Sequence, residues 1–306
     1  MSELLYQKIG IAVNLLAQDL LGRKPGERIP SISEYQQMLQ VSRGTVQNSL
    51  SYLKDTGAIT LVARGHMGTF IQTLDYRRLQ ECTVNREILG AMPLPYSSCY
   101  QGLATALYQV FSPFAFNLVY ARGAESRLRL IASGVCQFIV CSRFAAEEAI
   151  AKGDDVQIAV DLGPETYLSR HVLVLRDPQA KGIAPGMRVA YDRASADHRY
   201  ITELICGQVP QVELVQMRAH QIVHSIRSGA IDAGVWNLDE IVESGYQGLN
   251  VVPIDGIVDV SRFSSAVLVV RKGEQALGQM LSQCMDIRKI RKIQADVQSG
   301  AAAADY

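Results

Sequence analysis

A chain of 306 residues exceeds one ordinary domain and favours two. Apolar residues at 48% suffice for sizeable cores, and charged residues at 20% are too few for a disordered chain. The zero net charge excludes a uniformly basic nucleic-acid binder but averages over a polarity: through residue 80, nine Lys or Arg face six Asp or Glu, and the remainder carries the opposite excess.

At the amino terminus, MSELLYQKIG lacks a basic region followed by an apolar run, so no secretion signal is expected. No uninterrupted apolar stretch reaches the roughly 18 residues of a spanning helix. The expectation is a cytoplasmic protein without a membrane partner. The six cysteines form no C-x-x-C pair and read as buried or idle thiols.

Leu5, Ile9, Ala12, Val13, Leu16 and Leu20 recur at helical spacing until Gly22, Pro25 and Gly26 stop the pattern. Ser31 or Ser33 caps a second helix with Tyr35, Met38 and Leu39 as its apolar face. Ser42 caps a third, whose buried stripe is Val46, Leu50 and Leu53, ending at Gly57. The period then changes: Ala58 to Ala63 and Thr69 to Thr73 read as strands of a hairpin around Arg64-Gly65-His66-Met67-Gly68. Three helices followed by a two-stranded wing is the order of a winged helix-turn-helix. With its hydrophobes inward, the third helix must turn Arg43, Gly44, Gln47 and Asn48 outward near its amino end, the end such motifs place in the major groove.

Four spaced blocks resemble the GntR-family DNA-binding domain: Pro25 to Ser31, Val41 to Val46, Gly57-Ala58-Ile59, and Gly68 to Ile71. The resemblance implies that Arg43 and Thr45 contact operator DNA, that the wing reaches minor groove or backbone, and that a homodimer binds a near-palindrome of double-stranded DNA. The candidate DNA-binding residues are Ser31, Ser42, Arg43, Thr45, Gln47, Asn48, Arg64 and His66. Where relatives usually carry arginine, this chain has Ser33 and Gln47, which implies a different operator and a shallower salt dependence.

Residues 86–272 repeat one pattern. The first copy has strands at 88–92, 116–120 and 138–141, helices between them, and a closing strand in 169–176. The second has strands at 187–191, 212–215 and 233–236 and closes in 264–271. Ser133 and Ser228 lie 95 residues apart, as do Ser169 and Ser264. Alternating strands and helices make each copy a parallel α/β lobe, and two facing lobes enclose a cleft lined by the loops after the strands. This organisation resembles the type II periplasmic-binding-protein fold. The fold class is therefore α/β: residues 1–75 as a winged helix-turn-helix, 76–85 as linker, and 86–300 as a two-lobed effector-binding domain with its second lobe near 178–255. The chain also resembles the YhfZ group of regulators, across Ala91 to Tyr96, Gly102 to Ala104, Arg122 to Ala124 and Ser142 to Glu147. That likeness implies the regulator architecture but no ligand.

The post-strand positions supply the ligand candidates: Tyr96, Ser97, Ser98, Tyr100, Arg122, Ser142, Arg143, Asp192, Ser195, Trp236 and Asn237. Two arginines beside hydroxyls at helix starts suit a small anionic metabolite, and the aromatic rings suit its body. His220 and His224 share a helix face, but no third ligand accompanies them, so they read as surface histidines and no metal is expected. With no G-x-S-x-G, H-E-x-x-H or P-loop motif, neither catalytic residues nor a cofactor are assigned. A small-molecule-converting enzyme and a DNA-binding protein whose second domain only dimerises stay open as alternatives. The segment Ala276 to Ser299 reads as helix with a solvated basic face, and Ala301 to Ala304 as a frayed tail.

Overall fold

A computed structural model describes residues 2–83, 87–254, 256 and 259–306, without the side chains of residues 2–8 and 276. The expected Leu5 contact, positions 84–86 and the expected lobe end at 255 lie outside that set. The chain forms two compact units: Met1–Ile88 with Val110–Asn117 and Gly273–Met285, and Leu89–Gln109 with Leu118–Lys272 and Asp286–Tyr306.

The first unit opens with helices α1 (Ser2–Leu21), α2 (Ile32–Leu39) and α3 (Arg43–Asp55). Antiparallel strands β1 (Ile59–Ala63) and β2 (Thr69–Leu74) form the wing, followed by helix α4 (Tyr76–Glu81). Ser31 caps α2 in a capping box, accepting from the Glu34 N–H at 3.2 Å while Glu34 accepts from the Ser31 N–H at 2.6 Å. One core gathers Val13, Leu16, Leu20, Tyr35, Val46, Leu50, Leu53, Ile59, Ile71 and Leu79. Met38 is the exception to the expected stripe, 57% exposed. Tyr35 fills the core from this helix and donates its hydroxyl to Asp19 at 2.6 Å, and Leu39 packs beside it.

Within the expected 76–85 linker, α4 docks instead of spanning solvent. Tyr76 packs on Phe114 (ring centroids 5.1 Å), and the Gln80 amide exchanges hydrogen bonds with backbone at Ala115 at 2.9 and 2.7 Å. These contacts place residues 110–117 in this unit, together with a helix of the carboxyl-terminal region given below.

In chain order the remaining elements begin with β3 (Ile88–Met92), α5 (Ser98–Val110), β4 (Phe116–Tyr120) and α6 (Ala124–Ala132). Next come β5 (Phe138–Ser142), α7 (Arg143–Ala151), β6 (Val156–Asp161) and β7 (His171–Leu175). The second half has β8 (Arg188–Tyr191), α8 (Ala196–Cys206), β9 (Glu213–Gln216), α9 (Ile222–Arg227), β10 (Ala233–Asn237), α10 (Leu238–Glu243) and β11 (Asn250–Pro253). It closes with α11 (Val260–Ser264), β12 (Ala266–Arg271), α12 (Gln275–Cys284) and α13 (Ile287–Gln298).

Two five-stranded sheets result, ordered β4-β3-β5-β12-β6 and β9-β8-β10-β7-β11. Position for position the two orders correspond, in keeping with the repeat in the sequence. The closing strands, however, are exchanged. β7 ends the first half of the sequence yet pairs with β10 and β11, and β12 pairs with β5 and β6. All four pairings are antiparallel, so neither lobe is the purely parallel sheet expected, and the second lobe begins before residue 178. The exchange makes the chain cross between lobes twice, once between β6 and β7 and once between β11 and β12. The crossings are tied together where Tyr167 N–H donates to Ser264 at 2.8 Å and Ala266 N–H donates to the Thr166 hydroxyl at 2.9 Å. The terminal run is also docked rather than frayed: the Asp305 N–H reaches the Thr105 hydroxyl at 3.0 Å, and Tyr306 meets the Tyr120 ring.

Candidate functional site

The α3 surface follows from its caps and its stripe. Ser42 accepts from the Thr45 N–H at 3.2 Å and shares a hydroxyl bond with Thr45 at 2.8 Å. The helix buries Val46, Ser49, Leu50 and Leu53 and exposes Arg43, Gly44, Gln47 and Asn48. Arg43 and Gln47 are four residues apart and share one face, as do Gly44 and Asn48. None of the Arg43, Gln47 and Asn48 side chains is engaged by another described residue. Ser31 and Ser42 are exposed too, but their hydroxyls are engaged in capping. On the wing, Arg64 and His66 are exposed, with the Arg64 guanidinium 4.7 Å from the Phe70 ring centroid.

In the second unit a cavity of about 360 Å³ opens between the lobes. Of the expected ligand residues, Tyr96, Tyr100, Arg122, Asp192, Ser195, Trp236 and Asn237 line it; Ser97, Ser98, Ser142 and Arg143 do not. Each absentee has a structural partner. Ser97 caps α5 by accepting from the Tyr100 N–H at 3.3 Å, and Ser98 donates its N–H and hydroxyl to Glu243 at 2.7 and 2.6 Å, joining the lobes. Ser142 is fully buried, capping α7 and donating to Asp197 at 2.7 Å, and Arg143 is held by Asp161. Two lining residues are occupied as well. Asp192 accepts from the Ala194 and Ala219 N–H groups at 2.9 and 2.8 Å, and Ser195 caps α8.

Arg122 is different. It stands exposed at the cavity and makes no hydrogen bond or ion pair among the described residues. Directly after it, Gly123 begins α6 with φ +73° and no side-chain cap, leaving first-turn N–H groups open. A Cβ at Gly123 would lie 2.7 Å from the Ala194 carbonyl, so only glycine permits this approach of the two loops.

Four further lining residues carry no local signal in the sequence. Arg127, 1% exposed, donates to Val140 O, Ala121 O and the Tyr167 hydroxyl at 2.9, 2.7 and 3.0 Å. Burial pushes the Asp197 carboxyl up to about 7, against the downward pull of the Ser142 hydroxyl and Arg127. Burial likewise lowers His171 and His198 from the usual histidine value, the former helped by the latter and the latter opposed by Asp192 and Asn237, so burial favours the neutral form of both. His220, read as a surface histidine, is exposed but also borders the cavity, near Arg122 and Arg218. No group of three or more His, Cys, Asp or Glu among the described residues is placed to hold a metal.

Asp197 has a pH consequence. Its folded-state value lies above the ordinary carboxylate value of about 4, so its ionisation opposes folding. Its contribution is favourable below about 4 and is lost as pH rises towards 7. Asp197→Asn, which keeps an acceptor for Ser142, is expected to gain stability relative to the parent across that window. Urea unfolding at pH 4.5 and pH 7.5 measures the difference; an unchanged difference would refute the assignment.

The fold is a two-lobed α/β unit of the periplasmic-binding-protein-like type, carried with a helix-turn-helix. The chain belongs to the YhfZ family: residues 75–306 match the YhfZ C-terminal domain, and residues 24–71 match a helix-turn-helix domain. It is 31% identical to the YhfZ protein of Escherichia coli (strain K12) over 300 residues, 98% of each chain. The crystal structure of YhfZ from Shigella flexneri is similar with TM-score 0.63 and 30% identity, covering 75% of this chain and 97% of that one. The periplasmic aliphatic sulphonate binding protein SsuA of Escherichia coli shares the fold at TM-score 0.54 and 12% identity, over 70% of this chain and 74% of that one. No helix of the described residues is long and apolar enough to cross a membrane.

Proposed function

We propose that the protein is a ligand-responsive transcriptional regulator and not an enzyme: a homodimer in the cytoplasm whose winged helices bind operator DNA and whose interlobe cavity binds a small anionic metabolite. The observation that carries the reading is α3, with four apolar or small side chains buried and Arg43, Gln47 and Asn48 exposed and unengaged. A solvated helix face needs no such run of hydrogen-bonding groups beside a capped amino end, whereas base edges do. The GntR likeness of the four sequence blocks supports the same assignment. Effector binding closes the lobes and alters operator affinity through unequal affinity for two states.

Selection of genomic fragments by the purified protein is the test. Enrichment of near-palindromic sites is expected, and no enrichment over a protein lacking residues 1–75 would defeat the proposal. The cavity has its own check. Arg122→Ala is expected to weaken the effector by about 1.5–3 kcal/mol, the worth of a hydrogen bond to a charged group. Arg143→Ala, whose guanidinium serves Asp161, leaves affinity within about twofold by the same reasoning. Calorimetry showing equal losses would remove the anion assignment.

A further inference from the structure

The cavity has two walls of different chemistry. One is cationic: Arg122 without an ion pair among the described residues, the uncapped start of α6, and Arg218. The other carries uncharged polar groups, with the carboxyls of Asp192 and Asp197 close by. His171, His198, Trp236 and Asn237 border the cavity, and the first three are 4%, 7% and 3% exposed. Among the described residues, the His171 Nδ1, His198 Nδ1, Trp236 Nε1 and Asn237 Oδ1 atoms have no hydrogen-bond partner. Asn237 lies close enough to the His198 ring to favour its proton, but no well-aligned bond joins the two. Buried polar atoms left unpaired are costly, and a cluster of them beside a cavity marks groups awaiting a partner from outside the chain.

The atom types restrict that partner. Indole N–H only donates, the amide oxygen only accepts, and a neutral imidazole nitrogen does either according to tautomer. A hydroxyl donates and accepts, so it meets all three. A second carboxylate would satisfy only donors and would meet the carboxyls of Asp192 and Asp197, which also line the cavity. An ammonium could not use the indole N–H and would sit opposite unpaired Arg122. At about 30 Å³ per water-sized group, the 360 Å³ volume holds on the order of a dozen non-hydrogen atoms.

We infer that the ligand is a small hydroxylated anion: one acidic headgroup, carboxylate or phosphate, at Arg122 and the start of α6, with hydroxyls directed at Trp236, Asn237 and the two histidines. This rests on the reading of the cavity as an anion site and specifies its other end.

Trp236 is the only tryptophan of the chain, so its fluorescence reports on this wall. The full-length protein is titrated with hydroxylated monoacids (gluconate, ribonate, ribose 5-phosphate, erythrose 4-phosphate), with hexanoate and inorganic phosphate as anions lacking hydroxyls, and with glucose and xylitol as hydroxyls lacking charge. Calorimetry accompanies the optical signal. The expected result is at least one hydroxylated monoacid binding at least about tenfold tighter than hexanoate, phosphate and the neutral polyols, the worth of roughly one well-made hydrogen bond. In Asn237→Leu that margin falls below about threefold. Hydroxylated and plain anions binding alike would overturn the inference while sparing the anion site. Polyols binding as tightly as the acids, or no anion binding at all, would overturn the anion reading beneath it.

Discussion

Arg43→Ala is expected to cost about 1–3 kcal/mol of operator affinity in each half-site, and so at least about thirtyfold for a dimer engaging two. The side chain is exposed, lies in the first turn of a serine-capped helix, and makes no contact that the fold depends on. Helix content and thermal midpoint should therefore match the parent, separating recognition from folding. Electrophoretic shifts on the selected operator and on single-base variants tell how the arginine acts. Lost discrimination at one base pair per half-site means a base-edge contact. A uniform loss with a salt slope reduced by about one unit per half-site means phosphate. Because Ser33 and Gln47 stand where the GntR-family domain that these sequence blocks resemble usually carries arginine, the parent slope is expected to be shallow. Affinity within threefold of the parent would mean that this face of α3 is not the DNA surface.

Features that depend on local chemistry are legible in the sequence. Ser31, Ser42 and Gly57 punctuate helices through backbone groups within a few residues, and Val46, Leu50 and Leu53 carry a period that one helix enforces. The duplication is visible for the same reason, because a repeated unit repeats its punctuation. Partnerships across sequence leave no such trace. Ser142 and Arg143 resemble ligand groups because they follow a strand, as Arg122 does. Only the fold reveals that Asp197, 55 residues on, takes the Ser142 hydroxyl and that Asp161 takes Arg143. The exchange of β7 and β12 is hidden too: a closing strand reads alike whichever sheet receives it. Burial hides function in a similar way. Nothing near His171 or His198 in sequence signals desolvation, which arises where β7, α8 and β10 converge.

Arg127 is equally silent in the sequence, and its replacement should be the most damaging single change in the second unit. In Arg127→Met the apolar stem is kept, but three acceptors lose their donor: Val140 O in the middle of β5, Ala121 O before α6, and the Tyr167 hydroxyl in the first crossing. Removing one side of a buried polar arrangement typically costs about 3–5 kcal/mol, which for a domain of this size lowers the midpoint by roughly 6–20 °C. Arg127→Lys keeps the charge but offers one nitrogen where three directions must be served, so it should recover only part of the loss. The pH dependence separates this account from simple cavity formation. Arg127 draws the Asp197 carboxyl down, against its burial. Without Arg127, ionised Asp197 has lost a compensating cation, so the penalty in Arg127→Met should be larger at pH 8 than at pH 5. Adding Asp197→Asn should erase that difference in a double-mutant cycle. A loss below about 1 kcal/mol, the scale of a typical single substitution, or one equal at both pH values, would show that Arg127 fills space without bracing β5 and the crossing.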